Sequence, residues 1–567
     1  MSYKILEAFR PQLFSTLRNY NKQQLSADIM AGIIVGIVAI PLAIAFGIAS
    51  GVGPTEGLVT AILAGFIIST FGGTKVQIGG PTGAFIVIIY GIIQQHGISG
   101  LMIATILAGI FLLIMGFAKL GNIIKFVPYP VIVGFTGGIA LTIFSTQMND
   151  FFGLGLKDVP SNFIDKWICY FSNFSAVNFA ALITGLVSLL IIIFMPKISK
   201  KIPGSLIAII VVTIAVWLGE KYMGLEGILK IGDLYQLPSG MPKPSIAAMQ
   251  LPEGQSIWAT VQSLMPAAFT IAMLGAIESL LSAMVADGVT SDRHDSNTEL
   301  IGQGIANIVV PFFGGIPATG AIARTMTNIN NGGRTPIAGI IHALVLLLVL
   351  MFMSPLVALI PMPCLAAVLI IVAYNMSDWR TFVALSHNPK SDFMVLMVTF
   401  ILTVIFDLTI AIEVGLLLAI IIFLKRTSES VHIKEFKEKI DPNNEMDMVF
   451  HQEDTLNIPD GVVVYEIDGP YFFGIANKFD EVMGRISEKP KVRIIRMRRV
   501  PFIDSTGIHN LEMLIKKSKN DNIQIVLSGV NEEVYQSFET AGFFNSLGKE
   551  NVCSNINAAI KRAEEVK

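Results

Sequence analysis

From Asp28 to Arg426 the chain is a succession of apolar runs cut by Gly and Pro; beyond that point it turns to short alternating stretches dense in Lys, Glu and Asp. A helix crossing the hydrocarbon core needs about 20 mostly apolar residues, or fewer where it is broken and shielded by protein. On that rule the first part divides into fourteen segments, at 28–50, 56–72, 78–94, 99–118, 128–147, 178–195, 204–219, 258–286, 296–313, 319–330, 335–353, 356–376, 391–406 and 409–426. The third and tenth are short and interrupted by Gly and Pro. After the boundary near Lys425-Arg426, strand-like runs Val462 to Ile467, Val492 to Met497 and Ile523 to Leu527 alternate with helical stretches. Those stretches are Ala476 to Glu488, an amphipathic helix opened by Asp504-Ser505-Thr506-Gly507, and helices from Asn531 and about Ser554. The alternation predicts a small α/β domain. The expected organisation is a segment 1–27, an all-α polytopic membrane domain 28–426, a linker 427–460 and an α/β domain 461–567.

Composition sharpens this picture. The 567 residues are 53% hydrophobic and 14% charged, against about a quarter charged in soluble proteins, and the mean hydropathy is +0.65. Such a chain needs the lipid bilayer as solvent. A net charge of −2 gives no basic footprint for nucleic acid. Cys169, Cys364 and Cys553 lie far apart and are expected to be free thiols, and no Cys or His constellation suggests a metal. A GxxxxGK[ST] phosphate loop is absent from the sequence, which argues against ATP-driven transport by this chain; no cofactor and no enzymatic activity are expected.

The stretch Ile29 to Ser50 is too long for the apolar part of a signal peptide and reads as an uncleaved first span. Lys119, Lys125, Lys197, Lys200, Lys201, Arg293, Arg334, Arg380 and Lys390 fall in loops of one parity. Basic loops favour the cytoplasmic side, so both termini are expected in the cytoplasm of a bacterial-type inner membrane.

The two broken segments are related. Phe71-Gly72-Gly73 with Gly79-Gly80-Pro81-Thr82-Gly83-Ala84 is similar to Phe313-Gly314-Gly315-Ile316-Pro317-Ala318-Thr319-Gly320-Ala321. The copies lie seven spans apart, and an odd number of spans makes them opposite in orientation, a seven-plus-seven inverted repeat. Inverted-repeat transporters build their sites from discontinuous helices near the midplane. Half-helices starting near Pro81 and Thr319 would aim free backbone amides and positive dipole ends at one another, which favours an anion between them. Gly-rich turns that simply allow close helix packing are the competing reading.

Charged residues inside the apolar part narrow the chemistry. Arg324 lies four residues past Gly320, where a cation is penalised by about 2.5–3.5 kcal/mol unless it serves a pathway or a partner. It either adds positive potential to the anion site or pairs with an acid such as Glu278. Glu278, in the eighth segment with Ser282 one turn away, could load and unload a proton, hold Na⁺ through oxygen ligands with Ser282, or form a structural salt bridge. Phe46, after Pro41 in the first span, either walls the cavity or packs. Asp28, Glu56, Asp287, Asp407 and Glu413 lie near span ends, where interfacial solvation accounts for them, and His294 and His342 read as isolated.

Taken together, Asp28-Ile29-Met30-Ala31-Gly32, Ile40-Pro41-Leu42-Ala43, Gly80-Pro81-Thr82-Gly83, Gly275-Ala276-Ile277-Glu278-Ser279 and Ile322-Ala323-Arg324-Thr325 resemble the SulP family of anion transporters. The tail resembles a STAS domain. The resemblance implies a fourteen-span fold with core and gate domains, a homodimer and elevator-like alternating access. It also implies an anion site at Pro81, Thr82, Gly83, Ala84, Gly320, Ala321, Ile322 and Ala323, lined by Phe46, with Arg324 supplying potential. Sodium-coupled bicarbonate members tend to carry Asp where Glu278 stands and a hydroxyl residue where Ile322 stands. The expected coupling ion is therefore a proton at Glu278, with Na⁺ the lesser alternative, and the expected cargo is sulfate, a dicarboxylate or bicarbonate. In the tail, Asp504-Ser505-Thr506-Gly507 resembles the loop bearing a phosphorylatable serine in anti-sigma-factor antagonists, which would make Ser505 regulatory; an ordinary helix N-cap is the competing reading. An uncoupled exchanger or channel, a nucleobase carrier and a membrane-embedded sensor remain as rival functions.

Overall fold

The computed structural model describes residues 9–567 apart from 19, 123–126, 157–158, 161, 199–202, 225, 238–239, 245–256, 388, 407, 441–455 and 476–489. The chain forms two compact units, Met1–Ala419 and Ile420–Lys567. Apolar segments become α1 (Lys22–Ala49), α2 (Pro54–Phe71), α3 (Ile86–Phe117), α4 (Tyr129–Thr146), α5 (Phe179–Ile198), α6 (Gly204–Met223) and α7 (Ile257–Thr290). They continue as α8 (Ser296–Val309), α9 (Ile322–Asn330), α10 (Pro336–Phe352), α11 (Met362–Met376), α12 (Lys390–Ile405) and α13 (Leu408–Ser430). Two-residue strands β1 (Gly79–Gly80) and β2 (Thr319–Gly320) precede α3 and α9.

Each of the fourteen apolar segments is occupied by helix, or by strand and then helix in the third and tenth. Among the described residues eight helices are both long and apolar enough to cross a membrane by themselves. The difference has local causes. The third and fourth segments run together through Gly97, whose φ of 67° turns the chain between two helical stretches. Helix α8 spans 14 residues and carries polar groups, and α9 spans nine. Helix α1 begins before its apolar stretch because Asn21 and Gln24 form a reciprocal cap: the Asn21 side chain accepts the Gln24 N–H at 2.8 Å, and the Gln24 side chain accepts the Asn21 N–H at 3.2 Å.

The packing sorts these helices into two groups. Helices α1, α2, α3, α7, α8, α9 and α10 pack mainly on one another, and α4, α5, α6, α11 and α12 do likewise, with sparser contact between the groups. Close approach inside the first group depends on small residues: a Cβ added at Gly109 of α3 would lie 2.8 Å from the Gly304 carbonyl of α8, and the converse holds at the same distance. The first group is the core domain and the second the gate domain.

Two span-end residues are not solvated as expected. Asp28 is 1% exposed. It accepts hydrogen bonds from the Tyr20 hydroxyl (2.9 Å), the Arg334 N–H (2.9 Å) and the Thr335 hydroxyl (2.5 Å), so it ties α1 to the start of α10. Asp287 holds His294 at 2.7 Å, and the other ring nitrogen of His294 meets the Ser296 hydroxyl at 2.9 Å. His294 is therefore a bridge across the α7–α8 turn and not isolated. Short loops gave these groups partners that linear spacing did not reveal.

The second unit holds a five-stranded sheet, β3 (His432–Phe436), β4 (Val462–Asp468), β5 (Val492–Arg499), β6 (Gln524–Ser528) and β7 (Val552–Cys553), in that spatial order. The β3–β4 pair is antiparallel and the other pairs are parallel. Helices α14 (Ser505–Asn520) and α15 (Glu532–Ala541) pack on one face through Leu511, Leu514, Val534 and Phe538; α16 (Ile556–Val566) packs on the other through Ile556, Ala559 and Ala563. Strand β3 lies within the stretch read as linker, and the helix expected at 476–488 lies outside the described residues.

Candidate functional site

The two Gly-Pro stretches meet. Strand β1 pairs antiparallel with β2, Gly79 opposite Gly320 and Gly80 opposite Thr319. Local bonds fix this junction. The Ala321 N–H donates to the Ile78 carbonyl at 3.0 Å, the Thr325 hydroxyl accepts the Ile78 N–H at 3.1 Å, and the Thr319 hydroxyl donates to the Gly275 carbonyl at 2.7 Å. Asn307 clamps Ala318 on both sides, accepting its N–H at 2.9 Å and donating to its carbonyl at 2.8 Å. These bonds satisfy backbone groups that would otherwise be buried bare.

Beyond the strands the chain turns into helix on both sides. A 3₁₀ turn, Gly83–Phe85, leads into α3 and is capped by Thr82, whose hydroxyl accepts the Ala84 N–H at 3.4 Å. Helix α9 starts at Ile322 behind Ala321, which has no side-chain acceptor to offer. Free amides and a partial charge of about +0.5 at such a start make an anion-binding end. Pro81, Gly83, Ala84 and Gly320 are buried, Thr82 and Ala321 half-buried, and Ile322 and Ala323 exposed. The start of α9 thus faces open space.

Arg324 is 2% exposed and reaches from α9 back across the junction, donating through Nη2 to the Pro81 carbonyl. Among the described residues its Nη1 has no hydrogen-bond partner. The guanidinium fills the place of a side chain at residue 80: a Cβ on Gly80, whose φ is +153°, would collide with Arg324 Nη1. Arg324 makes no ion pair with Glu278, although its charge acts on that carboxylate.

The Thr82 hydroxyl and the Arg324 charge both act on the Glu278 carboxyl. Glu278 is half-buried and lines an apolar slit of about 40 Å³ with Val127, Val131 and Phe135 at the core–gate seam. Phe46 is buried with its ring 3.5 Å from where a Gly83 Cβ would stand, and Ile143 and Met376 of the gate domain close on the same glycine at 3.1 Å. Ser282 is turned to other work: its hydroxyl meets the Thr325 hydroxyl at 3.2 Å, bracing α9. Ser505 is exposed at the first position of α14, after Asp504, whose side chain accepts the Gly507 N–H at 2.7 Å and the Phe473 N–H at 3.1 Å.

Sequence reasoning missed Glu299. It is fully buried on α8 and wrapped in donors: the Gly73 N–H (2.9 Å), the Gln77 amide (2.9 Å), the Gln303 amide (2.9 Å) and the Ser279 hydroxyl (3.3 Å). The signal was available. Glu299, Gln303 and Asn307 recur every four residues in an otherwise apolar segment, which places three polar groups on one helix face. Among the described residues no group of three or more His, Cys, Asp or Glu side chains could hold a metal ion.

A two-domain helical membrane protein whose repeats meet at an amide-lined, arginine-backed junction is built as an anion transporter, not an enzyme. Residues 25–399 match the sulfate permease family and residues 455–559 match the STAS domain. The chain belongs to the sulfate permease family and carries a C-terminal STAS domain. It is 39% identical to YvdB of Bacillus subtilis (strain 168), which bears a provisional sulfate-transporter name, over 94% of this chain and 97% of that one. It is 30% identical to the bicarbonate transporter BicA of Synechocystis sp., over 90% of this chain and 89% of that one. Among solved structures, the transmembrane domain of a cyanobacterial BicA superposes with a TM-score of 0.60 at 32% identity, covering 71% of this chain and 98% of that one. SLC26A9 shares the fold, with a TM-score of 0.84 at 18% identity over 100% of this chain and 94% of that one.

Proposed function

We propose that this chain is a secondary active symporter that carries a small anion, of the sulfate, dicarboxylate or bicarbonate type, together with a proton. The observation carrying this reading is the junction itself: β1 and β2 pair so that both helix tips meet, Thr82 caps one tip, Arg324 of the other reaches the Pro81 carbonyl, and both Thr82 and Arg324 act on the Glu278 carboxyl. An anion at the amides of Thr82 to Ala84 and Ala321 to Ala323, with Phe46 as a wall, lies in the same field as the Glu278 proton. Protonation removes a negative charge beside the anion, so the two are taken up together; release of either weakens the hold on the other.

A proton suits these residues better than Na⁺. The Ser282 hydroxyl is already engaged with Thr325, and Ile322 offers no oxygen ligand, which leaves Glu278 and Thr82 short of the several hard oxygens a cation of that kind takes. The likeness to the bicarbonate transporter BicA supports bicarbonate as cargo, and a sodium-coupled form of that reading is the second choice.

The sparse seam between core and gate supports elevator-like movement of the core, with its two tips, against a gate held in a homodimer in a bacterial-type inner membrane. Both termini are cytoplasmic in this reading, and the STAS domain regulates or assembles the transporter, with exposed Ser505 as its modifiable position. Proteoliposomes loaded with imposed proton, sodium or anion gradients test the proposal. Glu278→Gln is expected to abolish stimulation by an inward proton gradient while anion exchange persists. Undiminished proton-driven uptake by that variant would overturn the coupling assignment.

A further inference from the structure

A second feature at the core–gate seam has the chemistry of an anion site. A cavity of about 620 Å³ runs along the first stretch of α3, from Ile86 next to the helix tip to His96 before the Gly97 turn. At 1.5 Å per residue that stretch is about 16 Å long. The gate contributes Thr142 and Thr146 of α4, α13 contributes Glu413, and the core also contributes Ser263, Leu264, Pro266 and Ala267 of α7. The cavity is also lined by Asn162, Phe163 and Lys166, from the opening turn of the ten-residue helix Phe163–Ser172.

Lys166 is 4% exposed and lines this cavity. Among the described residues its ammonium makes no hydrogen bond and no ion pair, and Glu413, the one carboxylate among the lining residues, does not pair with it. The helix that carries it starts at Asn162 without a side-chain cap among the described residues, and the one first-turn acid, Asp165, is exposed. The helix is held in place by Trp167, whose indole N–H donates to the Ser145 hydroxyl of α4 at 3.0 Å. The hydroxyls on the walls are differently placed: Thr142, Thr146, Ser263 and Thr403 all donate to carbonyls of their own helices. A buried, unpaired cation and an uncapped helix start therefore coincide in one stretch of the cavity wall.

We propose that Lys166 and the amides at the start of its helix form a staging site for the transported anion, separate from the helix-tip site and joined to it by the cavity along α3. The site captures a small oxyanion or halide from the bulk and raises its concentration at the mouth of the path to Gly83. Burial pushes the Lys166 ammonium down to about 8, so the group is cationic through the neutral range and loses its charge as pH rises through that value. His96 and Glu413 face the same cavity from α3 and α13. The inference rests on the reading of this chain as an anion carrier, and on neither the cargo nor the coupling ion.

The test uses the full-length protein and two electron-dense probes, selenate and bromide, imaged in the wild type and in Lys166→Met and Lys166→Arg. Density beside Lys166 is expected in the wild type, lost in Lys166→Met and regained in Lys166→Arg, with density at the helix tips unchanged throughout. In proteoliposomes, KM for sulfate or bicarbonate uptake should rise about tenfold in Lys166→Met with maximal rate retained, at the low end of what a focused charge gives to capture. The wild-type KM should climb with ionic strength while that of Lys166→Met stays flat. Filled tips with no density beside Lys166, or an unchanged KM in Lys166→Met, overturns the staging site. Density beside Lys166 with empty tips overturns the helix-tip site instead and leaves this one standing.

Discussion

Glu278 and Glu299 sit on neighbouring helices of the core domain, and Ser279, the residue after one, bonds to the other at 3.3 Å. The protein treats the two carboxylates in opposite ways. Glu299 is fully buried, away from the seam, with amide, hydroxyl and backbone donors on its oxygens. Glu278 is half-buried at the seam, with a threonine hydroxyl and the field of one arginine. A carboxylate saturated with fixed donors is held in one state and serves as a brace; one with few partners at a moving boundary is able to change its proton. The comparison also explains how a flexible glycine-rich stretch stays in register. Through Gly73 and Gln77, Glu299 holds the approach to β1 against α7 and α8, and β1 in turn presents Pro81 to Ala84.

The sharpest way to break this comparison is Glu299→Ala. It takes the acceptor from the Gly73 N–H, two amides and a hydroxyl in a buried place, and each buried donor left unsatisfied costs about 1–3 kcal/mol. The variant is expected to melt well below the wild type in detergent and to insert poorly, whereas Glu278→Gln should melt close to the wild type. Equal melting of Glu299→Ala and the wild type would mean that Glu299 is not a brace. A smaller effect is expected from Gly80→Ala. It asks a non-glycine residue to hold a φ of +153° and drives a methyl group into the Arg324 guanidinium. Backbone strain of that kind costs about 1–3 kcal/mol. Because Arg324 must shift, anion affinity should fall more than stability does. Titration of anion-induced stabilisation, compared with the melting temperature of the empty protein, separates the two.

The membrane domain was legible because its signal is strong and local: long apolar runs with breaks in the third and tenth. The facing of the two tips was legible from the repeat, since copies separated by an odd number of spans must run in opposite directions, and β1–β2 pair antiparallel as that demands. What the sequence hid were partnerships fixed by tertiary packing. Asp28 was read as solvated because it sits at a span end, yet residues near 335, some 300 positions away, close over it. Ser282 was placed beside Glu278 by helix spacing, but the shared face also meets α9, and Thr325 takes the bond. Glu299 lay in plain view in a polar stripe and was passed over because α8 was read as one more apolar span. Spacing gives faces; it does not say which neighbour each face meets.

The smallest effect is expected where a carboxylate stands outside both arrangements. Asp292, in the turn between α7 and α8, is bonded to Lys75 at 2.6 Å, with the two side chains 41% and 37% exposed. Burial is the largest single influence and opposes ionisation, but the hydrogen bonds from Lys75 and the Arg293 N–H, together with the Lys75 charge, outweigh it and hold its pKa below the ordinary value of 3.8. A depressed carboxylate contributes stability that is fully present above the unfolded-state pKa and fades as pH falls through the folded one. The contribution is therefore constant throughout the neutral range and lost only in strong acid. At this exposure water and salt screen the pair to well under 1 kcal/mol. Lys75→Met is accordingly expected to leave the melting temperature at pH 7 nearly unchanged and to leave the pH profile of uptake between 5 and 8 where it is. A shifted uptake profile in Lys75→Met would place a titrating carboxylate at this turn, and would count against the proposal that Glu278 carries the coupling proton.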